Sequence, residues 1–282
     1  MRLPDHIIDA VIDTALAEDL PSLDVTTDNL IDESSRAAAR LVAKAPGVLC
    51  GVDFAQRVFR RLDNTTVFTD LHADGDTVSP GEVIMCVEGN TRALLKAERT
   101  ALNLLQHLSG IATKTAQLVA LIDGTGTVLA DTRKTLPGLR VLQKYAVTVG
   151  GGRNHRFNLS DAAMIKDNHI AALGGIAPAV AALRAKAGHM VKIEVETTDL
   201  TEVREAAEAG ADVIMLDNMP PDVMRKAVKL VAGRALTEAS GNLNENTLRA
   251  AAEAGVDILS VGALTHSVTA LDISMKIAAK PS

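Results

Sequence analysis

Between Asp131 and His169 the chain carries seven lysines and arginines, Arg133, Lys134, Arg140, Lys144, Arg153, Arg156 and Lys166, and two histidines, His155 and His169. Only three acids, Asp131, Asp161 and Asp167, share that window. The whole chain is acidic, with 29 Lys+Arg against 35 Asp+Glu and a net charge of −6. Cations gathered in one window of an acidic protein predict a local anion site. Arg140 and Lys144 also suit a solvated helix face. The cations in TRKT, GGGRNHR and MIKDNH stand among glycine and apolar residues, where such a face does not fit. Arginine recognises carboxylates through a planar fork of donors, and lysine acts as a compact point charge. Acids recur farther along, as Glu194, Glu196, Asp217 and Glu238.

The elements that must position these groups follow from hydrophobic periodicity. From about residue 125, short apolar runs alternate with alanine-rich helices: TVLADTRKT, AAMIKDNH, MVKIEVET, ADVIMLDN, ALTEASGN and VDILSVGAL. Two helix–Gly–strand junctions nearly repeat, AAEAGADVIMLDN from Ala206 and AAEAGVDILSVGA from Ala251. This alternation predicts a parallel sheet, open or closed into a barrel. Each run ends in a polar cluster, and a barrel places its site at the C-terminal ends of its strands. The last two clusters, SGN and VGALTH, fall where barrels hold phosphate on backbone N–H groups. No GxGxxG or P-loop run is present, which disfavours a dinucleotide-binding fold. Upstream, the spacing predicts a helix over 4–19, strands around Pro46-Gly47, a helix over 52–62 and strands around Gly75 and Pro80-Gly81. Two long helices, broken near Ser109-Gly110, complete this half.

Composition narrows the functional classes. Hydrophobic residues at 47% and charged residues at 23% are those of an ordered globular enzyme. No apolar run reaches the ~18–20 residues of a membrane span, and the first residues lack a secretory pattern. Cys50 and Cys86 have no metal-ligand spacing and are expected as reduced thiols. Aromatic residues at 2% argue against the stacking surfaces of nucleic-acid binders. The expectation is a cytoplasmic protein with neither a membrane nor a nucleic-acid partner.

The motifs ERTALNLLQHLSGIAT, DTRKTLPGLR, GGGRNHRFNLSDAAMIKDNH, IEVE, IMLDN, EASGN and SVGALTHS resemble those of the quinolinate phosphoribosyltransferases, the carboxylating nicotinate-nucleotide pyrophosphorylases. The resemblance runs from about residue 4 to 275. It implies an N-terminal α/β sandwich domain over 1–109, with the 268–282 segment packing on it, and a C-terminal open α/β (TIM-like) barrel over 110–267. The family's barrel has seven strands, one more than the six strand ends above. One departure is EDLPSLDVTT, where the family has a glycine-rich turn. The implied reaction joins quinolinate to phosphoribosyl pyrophosphate, releasing pyrophosphate and carbon dioxide and leaving nicotinate mononucleotide. Carried over by position, Arg133, His155, Arg156 and Lys166 surround the quinolinate carboxylates, with Thr132 beside them. Arg99 joins them from a neighbouring subunit of a homo-oligomer, a dimer or a hexamer built of dimers. Lys134, Glu196 and Asp217 hold the phosphoribosyl pyrophosphate. The two acids also serve Mg²⁺, directly or through water or substrate. Ser240, Gly241, Asn242, Gly262, Ala263 and His266 cradle the 5′-phosphate.

Plainer roles compete at several positions. His107, on an apolar helix, reads as structural or interfacial, and His169 as either substrate-facing or a support for the Lys166 loop. Asp217 could only cap a turn. Gly150-Gly151-Gly152 reads as a place for backbone to approach an anion. Glu194 and Glu196 share one strand face, so Glu194 is a candidate partner for a cation. Two other classes of protein offer themselves. A Schiff-base aldolase would use Lys166 as nucleophile in an apolar pocket. A non-catalytic phosphosugar-binding barrel would have no need of Glu196 and Asp217.

Overall fold

The computed structural model describes residues 3–277, the side chain of Asp70 excepted. In chain order the elements are α1 (Asp5–Asp19), α2 (Thr27–Leu30), β1 (Arg36–Ala43), β2 (Gly47–Val48), α3 (Val52–Leu62), β3 (Val67–Asp70), β4 (Thr77–Val78), β5 (Val83–Asn90), α4 (Thr91–Leu121), β6 (Val128–Ala130), α5 (Arg140–Val149) and β7 (Ala163–Ile165). There follow α6 (Asp167–Leu173), α7 (Ile176–Arg184), β8 (Ile193–Thr197), α8 (Leu200–Glu208), β9 (Val213–Asp217), α9 (Pro221–Val231), β10 (Leu236–Ser240), α10 (Leu248–Ala252), β11 (Ile258–Ser260), α11 (Ala263–His266) and β12 (Ile273–Ile277). They form two compact units. Of the described residues, one comprises 3–116, 136–151 and 267–277, and the other 117–135 and 152–266.

The first unit is built on an antiparallel sheet of order β12-β1-β5-β3. β12 pairs with β1 from Ala39↔Ile277 to Ala43↔Ile273. Helix α1 buries Ile8, Ile12 and Leu16, the spacing of one helical face, and packs on α3, which buries Phe54, Val58 and Phe59. Arg57 of α3 ties the two helices at their rim through Asp5 (2.7 Å) and Asp9 (3.3 Å). Asp74 Oδ1 accepts from the N–H groups of Gly51 and Val52, both at 2.9 Å, and so satisfies the N-terminus of α3. Tyr145 of α5 donates to the other oxygen of Asp74 at 2.8 Å.

The helix break expected near Ser109-Gly110 is absent: α4 continues for 31 residues through both. Gly110 has a packing role instead. A Cβ there would lie 2.3 Å from the carbonyl oxygen of Thr269 and 3.0 Å from Val268, so only glycine lets the segment before β12 approach. The Ser109 hydroxyl is likewise used, accepting from Cys50 N at 2.9 Å. Gly150 has a similar reason, since a Cβ there would fall 2.5 Å from the Ala112 carbonyl on α4. Gly151 turns at φ 90°. Gly150 and Gly151 thus serve helix packing and a turn.

The second unit is an all-parallel sheet of six strands, order β6-β11-β10-β9-β8-β7. A parallel bridge between Ala130 and Arg153 extends it beyond β6. Side chains alternate along each strand. Ile193, Val195, Ile214, Leu216, Ala239 and Leu259 are each 0% exposed and form one layer with Val203, Ala206 and Ala227 of the flanking helices. The alternate positions, Glu194, Glu196, Met215, Asp217, Glu238, Ser240 and Ser260, face the other way. The charged groups therefore share one side of the sheet.

Replacing Gly110 by alanine should lower stability by ~1–3 kcal/mol despite alanine's better helix propensity, because the added methyl overpacks against backbone. Denaturant unfolding checks this. An unchanged or raised midpoint would contradict it.

Candidate active site

The polar side of the parallel sheet opens into a cavity of ≈ 590 Å³. Its lining includes Thr132, Arg133 and Lys134 after β6, His155 and Arg156 from the following loop, and Lys166 after β7. Glu196, Asp217, Asn218, Glu238, Ser240, Gly241, Asn242 and Ser260 complete its polar wall. Strand register assembles it: Glu196 pairs with Met215, Met215 with Glu238, and Asp217 with Ser240. Adjacent strands stand about 4.8 Å apart, so acids far apart in sequence come within one small-molecule span.

The loop carrying His155 and Arg156 is fixed from below by Asp131, which is 0% exposed. Asp131 Oδ1 accepts from His155 N at 2.9 Å and Oδ2 from Asn154 Nδ2 at 2.7 Å. Arg153 N donates to Leu129 O at 2.8 Å and Asp131 N to Arg153 O at 3.1 Å, which seats the loop on the β6 edge. Arg156 Nη1 donates to Ala162 O at 2.9 Å. Burial, and then the neighbouring Arg133, pull the Arg156 guanidinium below its ordinary range, while Glu194 opposes them. Lys166 pairs with Glu196, and its backbone N–H donates to His169 Nδ1 at 3.0 Å. His169 thus supports the Lys166 turn and the start of α6. With its side chain 45% exposed and ion-paired, Lys166 lacks the apolar enclosure that a Schiff-base nucleophile needs.

Beneath the cations lies a buried acid pair. His155 Nδ1 accepts from Arg156 N at 2.8 Å, so the ring proton sits on Nε2. Nε2 in turn lies 3.0 Å from Glu194 Oε2 and 3.5 Å from Glu238 Oε1. The donor atoms of His155, Glu194 and Glu238 lie within 4.8 Å of one another, a spacing that could hold a metal ion. The proton on Nε2 occupies the lone pair that a metal would take, so the trio is an acid pair capped by His155. Burial pushes the Glu238 carboxyl up to about 7, with Glu194 adding to the rise and His155 opposing it.

Across the cavity, Asn218 and Asn242 adopt left-handed backbone, φ 54° and 52°. Asn218 Nδ2 donates to Asp217 Oδ2 at 2.8 Å, and Asn242 Nδ2 donates to Asn218 Oδ1 at 2.9 Å. A Cβ at Gly241 would meet the Asn218 carboxamide at 2.3 Å, which accounts for the glycine in SGN. Gly262 packs beneath Lys134 and His266, where a Cβ would sit 2.9 Å from Lys134 Cδ and 3.1 Å from His266 Nε2. Thr265 Oγ1 donates to Lys134 O at 2.7 Å and joins the start of α11 to the Lys134 turn.

Of the sequence-predicted residues, the cavity gathers Thr132, Arg133, Lys134, His155, Arg156, Lys166, Glu196, Asp217, Ser240, Gly241 and Asn242. Gly262, Ala263 and His266 follow β11, next to Lys134. Arg99 belongs to α4 in the first unit, where it is exposed, and it does not line the cavity. His107 is structural, its Nε2 meeting Gln143 Nε2 at 2.8 Å. Asp131, Glu238, Asn218 and Ser260 fall outside the predicted site residues. All four lie at or near strand ends, where alternation could have flagged them, but their roles depend on partners distant in sequence.

An all-parallel α/β sheet whose strand ends combine clustered cations with acids and a tight SGN turn defines a barrel-type α/β protein with a cationic cavity. Similarity to known proteins specifies which. Residues 24–109 match the quinolinate phosphoribosyl transferase N-terminal domain, and residues 111–276 match the C-terminal domain of the same family. The chain is 49% identical over 261 residues to a Bacillus subtilis protein named probable nicotinate-nucleotide pyrophosphorylase [carboxylating], covering 92% of this chain and 90% of that one. A Mycobacterium leprae nicotinate-nucleotide pyrophosphorylase is 43% identical over 284 residues, covering 98% and 100%. The crystal structure of NadC from Streptococcus pyogenes superposes with a TM-score of 0.96 at 45% identity, covering 99% of each chain. The chain belongs to the quinolinate phosphoribosyltransferase family.

The acid pair makes stability depend on pH. Glu238 titrates near 7 in the fold, above its ordinary 4.5, so the folded state holds the proton more tightly than the unfolded chain. That contribution is present below the ordinary value and is lost as pH rises through about 7. Glu238→Gln should flatten the fall in melting temperature across this window and be relatively more stable at pH ~8 than at pH ~5. Parallel melting profiles for the two proteins would contradict this.

Proposed function

We infer that this protein transfers the phosphoribosyl group of phosphoribosyl pyrophosphate to quinolinate, with loss of carbon dioxide, giving nicotinate mononucleotide and pyrophosphate for NAD synthesis. The observation that carries the inference is the cavity in which Arg133, Arg156 and Lys166 face the acids Glu196 and Asp217 at the ends of parallel strands. Quinolinate presents two carboxylates, and its cosubstrate adds a phosphate and a pyrophosphate. Taking such charge out of water requires cations that are already oriented.

The roles follow from position. Arg133, Arg156 and Lys166, with Thr132, take the two carboxylates and leave the pyridine nitrogen to attack the ribose carbon. His155 fixes the Arg156 backbone through Nδ1 and presents its ring edge to the substrate. Lys134 neutralises the departing pyrophosphate. Glu196 and Asp217 lie where positive charge grows on the ribose, and stabilise it electrostatically. Ser240, Gly241, Asn242, Gly262, Ala263 and His266 receive the 5′-phosphate on a turn closed by glycines. No protein nucleophile is needed.

Glu196 and Asp217 offer hard oxygen donors beside the pyrophosphate-binding lysine, and this donor set suits Mg²⁺ that keeps waters and substrate oxygens in its shell. Bound there, Mg²⁺ would supply charge neutralisation for the pyrophosphate. Loss of activity in chelator and its return on adding Mg²⁺ is expected.

The exposed position of Arg99 on α4 supports its action in the site of a neighbouring subunit, within a dimer or a hexamer built of dimers. Two free thiols, Cys50 and Cys86, fit a reducing, cytoplasmic setting. No helix among the described residues is long and apolar enough to cross a membrane.

Quinolinate should be a substrate and nicotinate should not. A monocarboxylate leaves part of the Arg133–Arg156–Lys166 set unpaired in the pocket, at a cost of about 2–5 kcal/mol and hence ~30- to ~5,000-fold in kcat/KM. Similar kcat/KM values for the two acids would overturn the inference.

Mixing inactive Arg99→Ala and Lys166→Ala proteins tests the intersubunit role. If Arg99 acts in trans, half of randomly exchanged dimers are mixed and hold one intact site each, so activity should return to about a quarter of wild type. No recovery, with exchange confirmed by mass, would remove the trans role.

A further inference from the structure

Decarboxylation leaves a ring carbon that must gain a proton, and Lys134 of the cavity is assigned above to the pyrophosphate. Lys166 pairs with Glu196. The His155 Nε2 proton points at Glu194. Arg133 and Arg156 are guanidinium groups, which hold their protons too tightly to act as acids near neutral pH. Glu238 differs from all of these. It lines the cavity from β10, its side chain is 2% exposed, and its Oε1 is buried with no hydrogen-bond partner. The groups facing it are Glu194 of β8, His155 of the loop and Ser260 of β11, with Met215 of β9 beside it in register. A carboxylate there would stand against a second buried acid and against the dianionic substrate above.

We propose that Glu238 is the catalytic acid that protonates the ring carbon after the carboxylate leaves. The assignment rests on the decarboxylating transfer inferred above. The bond from the ring carbon to the leaving carboxyl breaks and carbon dioxide departs, while the electron pair stays on the ring carbon beside the quaternised nitrogen. That pair takes the proton of the neutral Glu238 carboxyl: a C–H bond forms, the O–H bond breaks and Glu238 becomes a carboxylate. Water returns the proton as product leaves. The position of Glu238 on the inner face of a central strand, rather than on a loop, holds the acid at a fixed height below the substrate. Its carboxyl, pushed up to about 7 by burial and by Glu194, carries the proton through the lower part of the neutral range. The role also accounts for a dianion cavity that tolerates Glu238 in its lining while Glu194 meets the same histidine. With one of them protonated, the pair carries a single negative charge, and the dianion meets half the repulsion that two carboxylates would present.

The test compares wild type with Glu238→Gln and Glu238→Asp, measuring quinolinate affinity and kcat for carbon dioxide and pyrophosphate release from pH 5.5 to 9. The amide imitates the protonated carboxyl in shape and charge but cannot give up a proton. Glu238→Gln should therefore bind quinolinate within ~3-fold of wild type while kcat falls at least ~10-fold. The decline of wild-type kcat above pH ~7 should disappear in this variant and return, at a shifted midpoint, in Glu238→Asp. A structural role alone would weaken binding and kcat together and leave the limb in place. The proposal is overturned if Glu238→Gln keeps kcat within twofold, or if the limb persists unchanged. Folding of each variant is verified by its melting transition and by quinolinate binding. Should wild type release no carbon dioxide from quinolinate and phosphoribosyl pyrophosphate, the reaction assignment fails instead, and the two failures are told apart by that control.

Discussion

Cations crowded into a cleft repel one another and lose hydration, so a site for polyanions must be neutralised from within the fold when no substrate is bound. The strand ends meet this constraint. Lys166 is paired with Glu196, and the Arg156 guanidinium, pulled down by burial and by Arg133, is held up by Glu194. His155 bridges the cation layer and the acid layer, accepting from the Arg156 backbone on one side and facing Glu194 and Glu238 on the other. In the function proposed above, substrate carboxylates would replace internal partners, and less of the binding energy would be spent on ordering the cations. Specificity follows from the same arrangement, because an incoming acid must match the whole cationic set and not one member of it.

The sheet gives this arrangement its rigidity. Register between β8, β9 and β10 places Glu196, Met215 and Glu238 in one row and Asp217 beside Ser240. The opposite faces of those strands bury Ile193, Val195, Ile214, Leu216 and Ala239 completely, which holds the register against slippage. The loop from β6 to β7 has no such strand to hold it, and buried Asp131 does that work by accepting from His155 and Asn154. At the rim Asn218 and Asn242 take left-handed conformations and bond to each other. Such strain, stabilised by side-chain hydrogen bonds, is common where a site must present groups in one geometry.

Much of this is legible in the sequence, and what is not has physical reasons. The six parallel strands appear as apolar runs with polar ends, because burial on one face and a shared mouth on the other leave that mark on each strand separately. The cation window is equally plain in TRKT, GGGRNHR and MIKDNH, whereas Lys144, which by sequence also suits a solvated helix face, is 0% exposed on α5. Gly110 reads locally as a helix break and is not one. Glycine's weak helix propensity is visible in its own segment, while the Thr269 carbonyl that demands it is 159 positions away along the chain. Gly150 reads as an anion contact for the same reason, its actual constraint being the backbone of α4. Glu238 shows in the sequence only as a strand end. Its isolation depends on Glu194, His155 and Ser260 converging on it from two other strands and a loop, and no local pattern carries that.

A single cavity that performs both transfer and decarboxylation on a dicarboxylate must release its two products together. The most direct measurement supplies carboxyl-labelled quinolinate, phosphoribosyl pyrophosphate and Mg²⁺ to the purified protein and follows labelled carbon dioxide and pyrophosphate together. The two should appear in equal amounts, with neither released when the other substrate is withheld. Pyrophosphate without carbon dioxide, or release of carbon dioxide from quinolinate alone, would contradict the claim.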